Sequence, residues 1–197
     1  MHAALLLALT LAGNDDRDVI QTALLSFYKR EIWHSPEWLP RQPIQLADQF
    51  RKDDGTSLEV ALFKLEIMAN TTLDRLKKEK KTQRDAEYLI YFASVSRELA
   101  RIIPLAKQKG SFVPVRLGDF RDVTWKAGIQ LVDRITRDYG SGPVSARASK
   151  PRYSPNGQIA WVQFSMPWSI HSADVQFVLE KREGQWQVRV GWARFYV

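Results

Sequence analysis

The hydrophobic pattern of this chain changes period once, near Pro143, and that change limits the fold more than any motif does. Before it, apolar residues recur at helical spacing. After it they alternate, as they do along half-buried strands. A chain that runs helices first and strands afterwards folds as α+β, with its helices packed on an antiparallel sheet.

Three strands follow from the alternation. Val162, Phe164, Met166, Trp168 and Ile170 share one face of a long strand, Val175, Phe177 and Leu179 one face of the next, and Trp186, Val188, Val190 and Trp192 one face of the last. Turn residues punctuate them: Pro155, Asn156 and Gly157 before the first, residues 171–173 between, and Arg182, Glu183 and Gly184 before the last. This is a meander, with a bulge or bend expected near Gly191.

Upstream, Val19, Ile20, Ala23, Leu24, Phe27 and Tyr28 predict an amphipathic helix over 15–32, with Asp15, Asp16 and Asp18 where a helix start favours carboxylates. Pro36, Pro40 and Pro43 make 33–43 an irregular connector, which Trp33 and Trp38 are expected to pin to the core. Thr56 with Glu59 reads as a capping box opening a second helix through Leu58, Leu62, Leu65, Ala69 and Leu76. The alternation of Leu58, Val60 and Leu62 leaves a strand open at its start. Thr82 with Asp85 repeats the box before a third helix through Ala86, Leu89, Ile90, Ala93, Ile102 and Ile103, which ends near Pro104. These two helices form a hairpin. A short strand is expected over 112–117, then a fourth helix, capped by Asp119, through Phe120, Val123, Ala127, Leu131, Ile135 and Tyr139 to Gly140.

The first residues, Ala3 to Ala12 and Gly13, are small and apolar, then break into Asn14, Asp15 and Asp16. They read as an export signal or anchor over 1–13, although no Lys or Arg precedes them; a packed or unstructured apolar tail is the alternative. Export makes the protein secreted or periplasmic, or membrane-anchored if 1–13 is retained. The remaining 14–197, in a chain that is 45% hydrophobic and 26% charged, supplies one substantial core and thus one domain. With no cysteine, there is no disulfide, thiolate nucleophile or lipid-modified cysteine.

Residues able to carry chemistry are few. Ser169, His171, Ser172 and Asp174 are too close in an extended strand to form a triad, and no Gly-x-Ser-x-Gly elbow occurs. Phosphate-cradling loops are missing, and His34 and His171 lack the partners of a metal site, so neither cofactor nor metal is expected. Lys77, Lys78, Lys80 and Lys81 cluster at the hairpin tip and, with a net charge of +7, could meet an anionic surface. Asp74, Glu79 and Asp85 dilute the cluster and no aromatics interleave, which argues against nucleic acid. Phe164, Trp168, Phe177 and Trp186 lie on the inward sheet face, where they line either a packed core or a conical apolar pocket.

A leading amphipathic helix, further helices and an aromatic-rich antiparallel meander resemble the nuclear transport factor two-like branch of the cystatin-like α+β folds. The resemblance covers 15–32 and 112–197 and rests on element order. It implies a bent sheet wrapping a helix into a cone, in a superfamily holding isomerases, dehydratases, epoxide hydrolases and non-catalytic binding modules. No motif maps residue by residue, so no catalytic residue is carried over.

Three functions remain as expectations. The first is an exported, non-enzymatic domain that binds a small apolar ligand or a protein partner, with a homodimer through the sheet left open. The second is a small lyase, isomerase or hydrolase drawing its acid or base from Asp119, Asp122, Tyr139 or His171. The third is a basic module for anionic surfaces.

Overall fold

The computed structural model describes residues 14–28, 44–79, 82–126, 128–133, 145–168 and 171–196. The expected signal over 1–13, the connector 33–43 with its tryptophans, and Tyr139 lie outside them.

Helix α1 (Asp15–Tyr28) precedes strand β1 (Ile44–Ala47) and the helical hairpin of α2 (Leu58–Glu79) and α3 (Gln83–Ala106). Strands β2 (Ile129–Val132), β3 (Ser145–Ala148), β4 (Arg152–Tyr153), β5 (Ile159–Trp168), β6 (His171–Arg182) and β7 (Gln185–Tyr196) follow. The α+β class, the hairpin and the C-terminal antiparallel meander β5-β6-β7 agree with the sequence reading. The sheet runs β2-β1-β3-β5-β6-β7, with β4 beside β5. It is mixed, because β1 pairs in parallel with both β2 and β3.

Helix α2 opens one residue later than the Thr56 box predicts. Asp53 and Asp54 carboxylates take the Gly55 and Thr56 amides, so Ser57 is the first hydroxyl free to cap, and it accepts from the Val60 N–H at 3.2 Å. Helix α3 keeps the predicted reciprocal box between Thr82 and Asp85. It runs through Pro104 into its last turn, and the described part of α1 stops at Tyr28.

Two elements are corrected. Residues 112–117 are not a strand, because their amides go elsewhere: Phe112 N–H to the Pro155 carbonyl, Val115 N–H to Asp15 and Leu117 N–H to Asp16. Asp119 caps a single 3-10 turn (Phe120–Asp122), and no fourth helix continues through 128–132. Gly128 has φ +96°, which breaks helical continuation, and the next four residues pair with β1, Ile44 opposite Ile129 and Leu46 opposite Leu131. Alternating Ile129 and Leu131 fit a strand as well as a helix, and an available strand partner decided between them.

The meander carries two further corrections. β6 begins at His171, paired with Trp168, so residues 171–173 belong to the strand and not to a turn. In β7 the four apolar residues expected on one face are divided. Leu179 pairs with Val188 but Val178 pairs with Val190, which leaves Arg189 as an extra bulged residue, two positions before Gly191. Trp186 and Val188 therefore face α1, whereas Val190 and Trp192 face the α2–α3 hairpin.

The sheet is covered on both faces. Ile20, Leu24, Phe164, Met166, Val175 and Phe177 fill the α1 side, and Leu62, Leu65, Leu99, Ile102, Trp161 and Val178 the hairpin side. The β6–β7 turn uses Glu183 and Gly184 at φ 50° and 78°, the double positive-φ pattern that matches strand twist.

Candidate functional site

Phe164 and Phe177 are fully buried in the α1-side core and pack edge to face, with ring centroids 5.7 Å apart. The space between sheet and α1 is filled at these two rings. The Trp168 side chain lies outside the described residues. Of the three expected pocket residues whose side chains are described, Trp186 borders open space.

That space is a cleft of about 490 Å³ along β7, which among the described residues is an edge strand of the sheet. Thr22 and Ser26 of α1 form one wall, Tyr91 and Ser94 of α3 the other, and β7 residues 186–191 run along it. The cleft exists because α1 and α3 cover opposite faces of the same edge strand. Among the described residues its cations are Lys126 and Arg189, and no carboxylate or histidine lines it.

The Trp186 side of the cleft is held from behind. At the start of α1, buried Asp16 accepts hydrogen bonds from Tyr153 Oη at 2.9 Å, Arg116 Nη1 at 3.1 Å and the Leu117 N–H at 3.2 Å. Its neighbour Asp15 takes the Lys181 ammonium at 2.9 Å, and that ammonium sits 5.3 Å from the centre of the Trp186 ring. Tyr153 packs on the same ring at 5.7 Å. Burial, reinforced by the negative charge of Asp16, raises the Tyr153 phenol above its ordinary pKa.

Against this fixed support, the Trp186 Nε1 donor is buried and finds no acceptor among the described residues. A buried donor without an acceptor costs roughly 1–3 kcal/mol. Arg189 Nε lies 3.5 Å from both Glu98 and Glu180, within ion-pair distance but without a hydrogen bond among the described residues. Lys126 has its main-chain N–H anchored to Gln21 of α1 at 2.8 Å, while its exposed ammonium makes no ion pair among the described residues. Tyr91, its phenol pKa raised by burial, donates its hydroxyl to the Gly191 carbonyl at one end of the cleft.

The other expected site residues fall elsewhere. Asp119 accepts the Arg121 N–H at 2.8 Å and lines a separate open depression of about 390 Å³, where Arg121 pairs with Asp48. The side chains of Asp122 and His171 lie outside the described residues. Lys77 and Lys78 are exposed in the last turn of α2, Lys77 being 3.7 Å from Asp74; Lys80 and Lys81 lie outside the described residues. The sequence marked Trp186 by alternation but gave no sign of Lys126 or Tyr91, which only packing brings to the β7 edge. Among the described residues no three metal-ligating side chains cluster, and no helix is long and apolar enough to cross a membrane. Comparison with protein-family models, with curated proteins and with solved structures finds no match.

Proposed function

We propose that this chain is an exported, non-enzymatic binding domain that takes its ligand or protein partner in the cleft along β7. The observation that carries the reading is the cleft itself, about 490 Å³ between α1 and α3 along β7, bordered by a Trp186 ring that Lys181 and Tyr153 hold in place. An aromatic ring held rigidly at a concave site confers binding at little further cost in order. Catalysis is the weaker reading because, among the described residues, the lining offers a lysine, an arginine and a hydrogen-bonded tyrosine but no carboxylate or histidine to pair as acid and base. Export is supported by the apolar segment 1–13.

The test follows the indole itself. The seven tryptophans give separate indole N–H signals in a nitrogen–proton correlation spectrum, and Trp186→Phe assigns one of them. Screening small acceptor-bearing fragments should move that signal for the compounds that bind. Hits that leave it unmoved while shifting other residues would overturn the assignment of the site.

A further inference from the structure

We infer that the occupant of this cleft is an extended, acidic segment of a partner protein, added to the sheet as one more strand beside β7. The inference rests on the reading of the cleft as a binding site and names what enters it.

The shape comes first. β7 has one strand neighbour, β6, so its other edge carries main-chain donors and acceptors that no strand of the described residues pairs. Residues 186–191 line the cleft consecutively, which makes the strand edge its floor, and α1 and α3 wall it from the two sheet faces. Six residues of strand span about 20 Å, and a segment lying along them would turn alternate side chains to the α1 wall and the α3 wall. Main-chain pairing supplies affinity in this geometry, and the walls supply selectivity. At one end the Tyr91 hydroxyl already occupies the Gly191 carbonyl, which limits the free edge to the residues before it.

Charge then selects the partner. Among the described residues the lining holds Lys126 and Arg189 and no carboxylate. Arg189 shares Glu98 and Glu180 with Arg101 and Arg182, and Lys126 has no counter-charge among the described residues, so the cleft is net positive. Lys126 is tied to α1 through Gln21, and Trp186 faces α1 as well. An acidic side chain directed at the α1 wall therefore meets a cation on the side that the Trp186 ring borders. A second copy of this chain fits less well, because pairing β7 with β7 would bring two sets of these cations together with no lining carboxylate between them.

Three labelled, end-blocked heptapeptides test this on the full chain by fluorescence anisotropy: alternating valine and glutamate, alternating valine and lysine, and the glutamate peptide with alternate main-chain amides N-methylated. The glutamate peptide should bind about tenfold or more tighter than either of the others, and it should shift the main-chain amide signals of 186–190. Lys126→Glu should remove the preference for glutamate, and Lys78→Glu, at the far hairpin tip, should not. Equal binding of the lysine peptide, or undiminished binding of the N-methylated one, overturns the inference. So does dimerisation through β7 without peptide, seen as hydrogen-exchange protection that rises with protein concentration. If no peptide binds but fragments still move the Trp186 indole, the strand inference fails and the cleft stands. If neither occurs, both fall.

Discussion

Arg101 of α3 and Glu180 of β6 meet through a two-pronged ion pair, Nη1 to Oε1 at 2.9 Å and Nη2 to Oε2 at 2.8 Å, across 79 residues of sequence. Arg182 donates to the same carboxylate and Glu98 braces the guanidinium, so the network clamps the hairpin onto the sheet. The Arg101 hydrogen bond is the main reason that the Glu180 carboxyl is held below its ordinary pKa. Its stabilising contribution is therefore present above the unfolded value, about 4.3, and is lost as pH falls through the lower folded value. Arg101→Ala should cost about 1–2 kcal/mol at pH 7 after allowance for solvent screening. In urea titrations, the stability gap between wild type and Glu180→Gln should narrow as pH drops below about 4; a gap independent of pH would contradict the clamp.

Two cores that share one sheet should fail independently. Phe164 is fully buried on the α1 side and Leu99 on the hairpin side. Phe164→Ala should cost about 3–5 kcal/mol and Leu99→Ala about 2–5 kcal/mol. The double variant should equal their sum within about 0.5 kcal/mol. Chemical denaturation measures all three, and an unchanged midpoint for Phe164→Ala would refute its placement.

The Arg189 bulge sets which face each β7 side chain takes. Arg189→Ala keeps the residue count and loses mainly the approach to Glu98 and Glu180, so about 1 kcal/mol is expected. Deleting Arg189 restores regular pairing and turns either Trp186 and Val188 or Val190 and Trp192 to the wrong side. Thermal unfolding followed by circular dichroism should stay cooperative for the substitution and collapse for the deletion. Equal behaviour of the two variants would mean that the bulge does not govern the register.

Tyr153 predicts an alkaline limb of stability. Its phenol is raised by burial and by Asp16, so the neutral form is favoured in the folded state. The contribution is complete below the unfolded value, about 10, and is lost as pH rises past it. Tyr153→Phe removes one donor from Asp16 and should lower stability at neutral pH by about 1 kcal/mol. It should also flatten the fall in melting temperature above about pH 10. A variant that loses stability in parallel with wild type at alkaline pH would place the effect on another group.

The hairpin and the three meander strands were legible because each is written in near neighbours, whereas β1, a strand ahead of the hairpin, interrupts the expected order of helices before strands. The Thr82 and Asp85 box lies within one turn, and Phe164 and Phe177 sit on runs whose period of two is visible without knowing what they pair with. The cleft was half legible. Alternation singled out Trp186, while Lys126 and Tyr91 carried no local signal, since their place depends on where α1 and α3 cross the edge of β7.

What local sequence could not carry was any choice between two patterns that near neighbours support equally. Ile129 and Leu131 suit a helix or a strand, and β1, some 85 positions earlier, made them a strand by offering parallel partners. Val190 and Trp192 suit either face of β7, and one unpaired residue at Arg189 turned them to the hairpin. Periodicity is a property of the chain and survives in isolation. Register and edge position are properties of pairs, settled when main-chain hydrogen bonds and buried area on both sides of the sheet are satisfied together.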